Sequence, residues 1–269
     1  MAIIRGGVLI DGNGKVVTWG DTIWAGTGDD RVFSGKGVDF IFAGSEADKS
    51  DVRAWGHDRV EGGEEGDWIH YENTTSSVHI WGDDKAGKVS GDDHIWGGRA
   101  GDFIWGGGGK DEIHGGAGGD EIDGGKGDDK IEGGEGADFL TGGSGRDTFF
   151  YHAIQDSHAR FADADRIEDF DTGLDKLNFD STATGKNFHH IDMAINGGAS
   201  DEAKFNAALM NATIDHLFNP THKFEFVTDG RDGWLFADTN GLHKGFDFGI
   251  ELKGVTDLSH TDLTHLNLF

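Results

Sequence analysis

The stretch that decides the fold is residues 97–150: GGRAGDFIW (97–105), GGGGKDEIH (106–114), GGAGGDEID (115–123), GGKGDDKIE (124–132), GGEGADFLT (133–141) and GGSGRDTFF (142–150). One nine-residue phrase recurs six times without a gap. An aspartate returns at Asp102, Asp111, Asp120, Asp129, Asp138 and Asp147, and two residues after each stands an apolar one: Ile104, Ile113, Ile122, Ile131, Leu140 and Phe149. The glycines permit positive φ and let carbonyl oxygens turn inward where a Cβ would clash; the aspartate adds a hard anionic oxygen. The polar–apolar–variable triplet after it reads as a short strand with one side chain inward. Two repeats then complete a turn of a right-handed coil. Asp102 meets Asp120, Asp111 meets Asp129, Asp120 meets Asp138, and Asp129 meets Asp147, each pair across a shared ion. A flexible Gly/Asp linker would not phase an apolar residue in this way.

Carbonyl and carboxylate oxygens suit Ca²⁺. The phrase follows the nonapeptide pattern G-G-x-G-x-D-x-U-x, with U a large apolar residue, and here the chain resembles the RTX (repeats-in-toxin) family. The expected cofactor is Ca²⁺, as several ions. Its expected ligands are Asp93, Asp102, Asp111, Asp120, Asp129, Asp138 and Asp147, with Gly98, Gly107, Gly109, Gly116, Gly118, Gly125, Gly127, Gly134 and Gly136, and Asp21, Asp30 and Asp39 further upstream.

The register begins before Gly97 in degenerate form. Asp21, Asp30, Asp39 and Asp48 keep the nine-residue interval, with Ile23, Val32 and Ile41 in the apolar slot, and the fourth copy fails at Ser50. Asp58 and Asp67 carry Val60 and Ile69; the period is then lost between His70 and Ser90, and Asp93 with Ile95 restores it. Residues 1–150 therefore read as one roll, irregular over 1–92 and regular over 93–150. Fewer glycines upstream imply fewer or weaker calcium sites there. The residue after the inward one should face outward, yet it is Trp24, Phe33, Phe42, Trp96 and Trp105. Three readings stay open for these aromatics: cover by the C-terminal part or the insertion, a binding or self-association surface, and stacking on sugar rings.

Fifty acidic against 23 basic residues leave a net charge of −27. Phosphate binding needs the opposite sign, which argues against a nucleic-acid partner. Self-repulsion opposes compaction until metal neutralises it, so folding and calcium binding should be one equilibrium, completed outside the cell. The absence of cysteine excludes disulfides and thiol chemistry. The start, MAIIRGGVLIDGNGK, has too short an apolar run for a cleaved signal peptide, and no segment is long and apolar enough to span a membrane as a helix.

After Phe150 glycine thins and phenylalanine becomes frequent. This segment resembles the C-terminal domain that follows the repeats in serralysin-type proteases, through Phe149, Tyr151, Asp156-Ser157, Asp165-Arg166-Ile167-Glu168-Asp169-Phe170, Gly173 and Asp175-Lys176-Leu177. The resemblance implies export from a Gram-negative bacterium by a type I (ABC-transporter) route, with a signal at the C-terminal end. A helix is expected from Ser200, its N-cap, to Ile214, with Phe205, Ala208, Leu209 and Ala212 on one face, followed by strands in KFEFVT, GWLFADT and FDFGIELKGV. The fold class is all-β: a right-handed parallel β-roll (1–150), then a mostly β C-terminal domain (151–269) with one or two helices.

No protease motif accompanies this resemblance. H-E-x-x-H, which sets two zinc ligands one helical turn apart around a glutamate base, is missing from the sequence. Ser144 lacks the second glycine of a nucleophile elbow, because Arg146 stands there. No catalytic residue is assigned. The reading is a secreted, non-enzymatic calcium-binding protein that self-assembles into an extracellular matrix, adhesive layer or filament, without membrane insertion. The alternatives are a polysaccharide-binding or adhesion module and an accessory or targeting part of a secreted hydrolase.

Overall fold

Alternation along each repeat decides its local structure: the residue two after the aspartate is buried and its neighbours are at least partly exposed. The computed structural model describes residues 3–5, 9–10, 16–17, 22–24, 31–42, 57–71, 74–83, 88, 90–152, 156–158, 160–179, 188–192, 199–218, 224–238, 246–259 and 262–265. Strands form where the alternation calls for them, at Phe103–Gly108, Glu112–Ala117, Glu121–Lys126, Lys130–Glu135 and Phe139–Ser144. Consecutive strands do not pair. Each joins the next but one, in parallel, with Ile104 opposite Ile122, Ile113 opposite Ile131 and Ile122 opposite Leu140. Alternate repeats therefore build two sheets, of twelve and nine strands. The inward residues Ile95, Ile104, Ile113, Ile122, Ile131, Leu140 and Phe149 fill the space between them and are all buried. Burying side chains of this size stabilises by about 1.5–3 kcal/mol each.

The irregular part keeps the same strands. Val32 lies opposite Val60, Ile41 opposite Ile69, Ile69 opposite Ile95, and Ile80 opposite Ile104. Sequence period is lost only in the connections. A coil that takes 18 residues in the regular part takes between 18 and 28 here, as in Ile23–Ile41, Val60–Ile80, Ile80–Ile104, Ile69–Ile95 and Ile41–Ile69. Loops tolerate such insertions because closure entropy grows slowly with length.

Both sheets run on past residue 150. Leu140 pairs with Ile167 and Phe149 with Leu177 in unbroken parallel register. The nine-stranded sheet then ends at Leu263–His265. The twelve-stranded sheet adds Phe248–Leu252, then Gly233–Ala237 and Phe224–Thr228 in antiparallel order, and ends at Phe188–Asp192. These three central strands are buried on both faces. Phe226, Leu235 and Ile250 continue the roll core, while Val227, Trp234 and Phe236 face the helix Asp201–Phe218 through Phe205, Ala208 and Ala212. Ser200 caps that helix, its Oγ accepting the Ala203 N–H at 3.3 Å. The helix runs to Phe218, one turn beyond the expected Ile214.

Candidate metal centre

Because the strands repeat every coil, the aspartates line up in two rows along the roll. One carboxylate oxygen of each holds the backbone of the aspartate one coil earlier. Asp93 N–H donates to Asp111 Oδ1 at 2.9 Å, Asp102 to Asp120 at 2.7 Å, Asp111 to Asp129 at 2.9 Å, Asp120 to Asp138 at 2.8 Å and Asp129 to Asp147 at 2.9 Å. The expected pairs eighteen residues apart are thus adjacent. The rows extend beyond the regular repeats: Asp39 donates to Asp67, Asp67 to Asp93, Asp138 to Asp165 and Asp147 to Asp175, at 2.7–3.0 Å.

The second oxygen behaves differently. Oδ2 of Asp67, Asp93, Asp111, Asp120, Asp129, Asp138, Asp147 and Asp165 is buried and makes no hydrogen bond. Leaving a buried carboxylate oxygen unpaired is costly. Burial accordingly pushes these carboxyls up, Asp67, Asp93 and Asp111 to about 8, Asp120 to about 9, Asp129 to about 7 and Asp147 to about 6. Asp102 rises only to about 6, because Val78 and Gly98 N–H groups bond both its oxygens. Eight carboxylate oxygens without a partner, five along one row and three along the other, are what a hard cation would satisfy.

Glycine supplies the rest of the donor set. A Cβ on Gly124 would fall 2.6 Å from Asp129 Oδ2 and 2.8 Å from the Gly142 carbonyl oxygen, so a carboxylate and the next coil's carbonyl converge on a bare Cα. At the second glycine of the phrases from residue 106 onward φ is positive, 117° at Gly107 and 103° at Gly125, and the carbonyl of Gly107 occupies the space that a Cβ on Gly125 would need. The Gly98 carbonyl does the same at Gly116, and that of Gly116 at Gly134. The fourth glycines, Gly109, Gly118, Gly127 and Gly136, likewise have positive φ. Among the described residues no three acidic or histidine side chains close on one point. Ions here would be held by carboxylates of adjacent coils together with backbone carbonyls, the oxygen chemistry of Ca²⁺.

Of the upstream ligands assigned from sequence, Asp39 is buried in its row, and Asp21 and Asp30 lie outside the described residues. Sequence reasoning placed Asp67 in register but left it out of the ligand set, and missed Asp165 and Asp175 as members of the rows. The signal was present: Ile69, Ile167 and Leu177 each stand two residues after them, as in the repeats.

The outward aromatics do not form one surface. Phe42 and Trp96 lie on the nine-stranded sheet, and Phe33 and Trp105 on the twelve-stranded one; the side chain of Trp24 lies outside the described set. Residues before the inward slot join them, so that Phe40, Trp68 and His94 run beside Phe42, His70, Trp96 and His114. Their rings stack at 4.1 Å for His70–Trp96 and 4.3 Å for Trp68–His94. On the other sheet Trp81 and Trp105 stack at 4.8 Å, 4° from parallel, and His79 stacks on Phe103 at 4.6 Å. Sequence reasoning overlooked Trp68, His70, His79, His94 and Phe103, whose slots alternate with the core.

Residues 20–49, 89–122 and 114–149 match the family model of the RTX calcium-binding nonapeptide repeat, in 4 copies. No curated protein is similar enough to this chain to be matched. Among solved structures, the chain is similar to the AlgE6R2 subunit of the Azotobacter vinelandii mannuronan C5-epimerase, at 26% identity over 64% of this chain and 91% of that one, TM-score 0.39. The AlgE6R3 subunit of the same epimerase is 22% identical over 76% of this chain and 80% of that one, TM-score 0.25. The buried aspartate rows and the repeat match agree: this chain carries RTX calcium-binding nonapeptide repeats, folded as a parallel β-roll.

Proposed function

We propose that the protein is secreted by a type I route, folds as Ca²⁺ fills the aspartate rows outside the cell, and acts structurally by self-association, without catalysis of its own. The observation that carries the calcium-gated part is the run of buried, unpaired Oδ2 atoms in a chain of net charge −27. Without cations these charges repel one another across a dry interior; with them, each ion ties two coils together. The same neutralisation would let copies of the chain approach one another.

The two aromatic ladders supply the surface for association. Their ring faces cover one another, at spacings of 4.1–6.2 Å within the columns, so they present edges to solvent rather than the flat faces on which a sugar ring stacks. This favours protein–protein contact over the polysaccharide reading. Light scattering and electron microscopy during a calcium titration test it. Assembly above a threshold of calcium is expected; a calcium-loaded chain that stays monomeric at every concentration defeats the structural role.

A further inference from the structure

Apart from Gly62-Gly63, the described irregular coils before Gly97 lack the paired glycines of the regular phrase, yet the oxygen that the second glycine delivers is not lost. At Gly63, Gly116, Gly125, Gly134 and Gly143 the atom filling the Cβ space is the carbonyl oxygen of a glycine one coil back: Gly35, Gly98, Gly107, Gly116 and Gly125 in turn. At Gly98 and Gly107 the preceding coil carries an insertion, and a side chain takes the place of that carbonyl. Over Gly98 it is Thr74 Oγ1, and over Gly107 it is Asp83 Oδ2. Among the described residues an oxygen therefore stands over each of these glycines.

We propose that Asp83 is a cation ligand, its carboxylate standing in for the missing glycine carbonyl where the Gly82–Asp93 and Gly106–Asp111 coils adjoin, and adding a charge there that the regular coils lack. Asp83 is the residue where the regular phrase has its second glycine: the run Ile80-Trp81-Gly82-Asp83 parallels Ile104-Trp105-Gly106-Gly107. Its side chain is buried, and Oδ2 is oriented by the Gly108 N–H at 2.7 Å. Asp93 and Asp111, both buried, each leave Oδ2 without a hydrogen bond. Asp93 Oδ2 points at the bare Cα of Gly82 and Asp111 Oδ2 at that of Gly106, with the Gly106 and Gly124 carbonyls beside them at 2.6 Å from the Cβ positions. Asp83 is close enough to repel both carboxylates. A neutral carbonyl is thus replaced by an anion beside coils whose own aspartates each leave an oxygen without a partner. Affinity in oxygen-ligated calcium sites rises with the ligand charge count. Thr74 Oγ1, buried and without a hydrogen bond, fills the equivalent position at Gly98 with a neutral oxygen, so that coil gains no charge.

This inference rests on the calcium-binding reading of the roll, and the experiment separates the two. Calcium is titrated calorimetrically into chelator-stripped full-length protein, wild type against Asp83→Asn and Thr74→Val. The tightest class of ions should weaken by about tenfold or more in Asp83→Asn and far less in Thr74→Val. An Asp83→Asn isotherm that superimposes on wild type overturns the assignment while leaving the roll's calcium binding intact. A wild type that takes up no calcium overturns both. A second readout needs no variant. The regular coils from Gly115 to Phe150 contain no tryptophan, whereas Trp81 and Trp105 adjoin this site. The first equivalent of Tb³⁺ added to wild type should give tryptophan-sensitised emission, and a dark first equivalent counts against the proposal.

Discussion

Each repeat aspartate except Asp102 divides its work between two oxygens: Oδ1 organises the neighbouring coil and Oδ2 is left without a partner. A carboxyl raised by burial opposes folding once it ionises. For Asp120, whose ordinary value is 3.8 and whose folded value is about 9, nothing is lost below pH 4. The penalty grows through the interval up to about 9. Asp67, Asp93 and Asp111 act over pH 4 to 8 in the same direction. The melting temperature of chelator-treated protein should fall as pH rises from 4 to 9. With saturating calcium the trend should reverse, because the ion requires the ionised form. Melting curves in chelator that rise with pH would contradict this account. In the core, Ile113 is wholly buried between the sheets; Ile113→Ala should cost about 2–5 kcal/mol in calcium-loaded chemical unfolding.

At the scale of the element, the glycines divide into those that need space and those that need only conformation. Gly125 has a φ of 103° and the Gly107 carbonyl in its Cβ space, whereas Gly173 has a φ of 90° and nothing within 4 Å. Gly173→Ala should cost about 1 kcal/mol, the left-handed penalty alone. Gly125→Ala must also displace a coil carbonyl, so it should cost more and weaken calcium binding too; equal effects on stability would show that the close approach carries no energy. The helix Asp201–Phe218 was legible beforehand because its buried residues recur on one face and Ser200 precedes it. Ser200→Ala should cost about 1 kcal/mol, read by thermal unfolding.

At the scale of the molecule, the two sheets continue from the roll into the C-terminal segment, so the repeat part and the C-terminal part share one core. Chelation at pH 9, where the penalty on the raised carboxyls is complete, should therefore abolish β-structure signal in circular dichroism well beyond residues 93–150. Loss confined to the amplitude of the regular repeats would show that the C-terminal part stands alone.

The sequence by itself determined the roll, its two-repeat coil and its calcium chemistry. An apolar residue phased with glycine and aspartate every nine positions has one way to bury the first while turning the oxygens inward. Tertiary structure alone decided where the phase breaks lead. Insertions lengthen loops without moving strands, so Ile69 still meets Ile95 although 26 residues separate them, and no local period reveals that pairing. It also decided that the outward aromatics divide between opposite faces, because consecutive repeats enter different sheets. And it placed Asp83 Oδ2 where a carbonyl belongs, since an oxygen's role depends on the space it reaches and not on the position it holds in the chain.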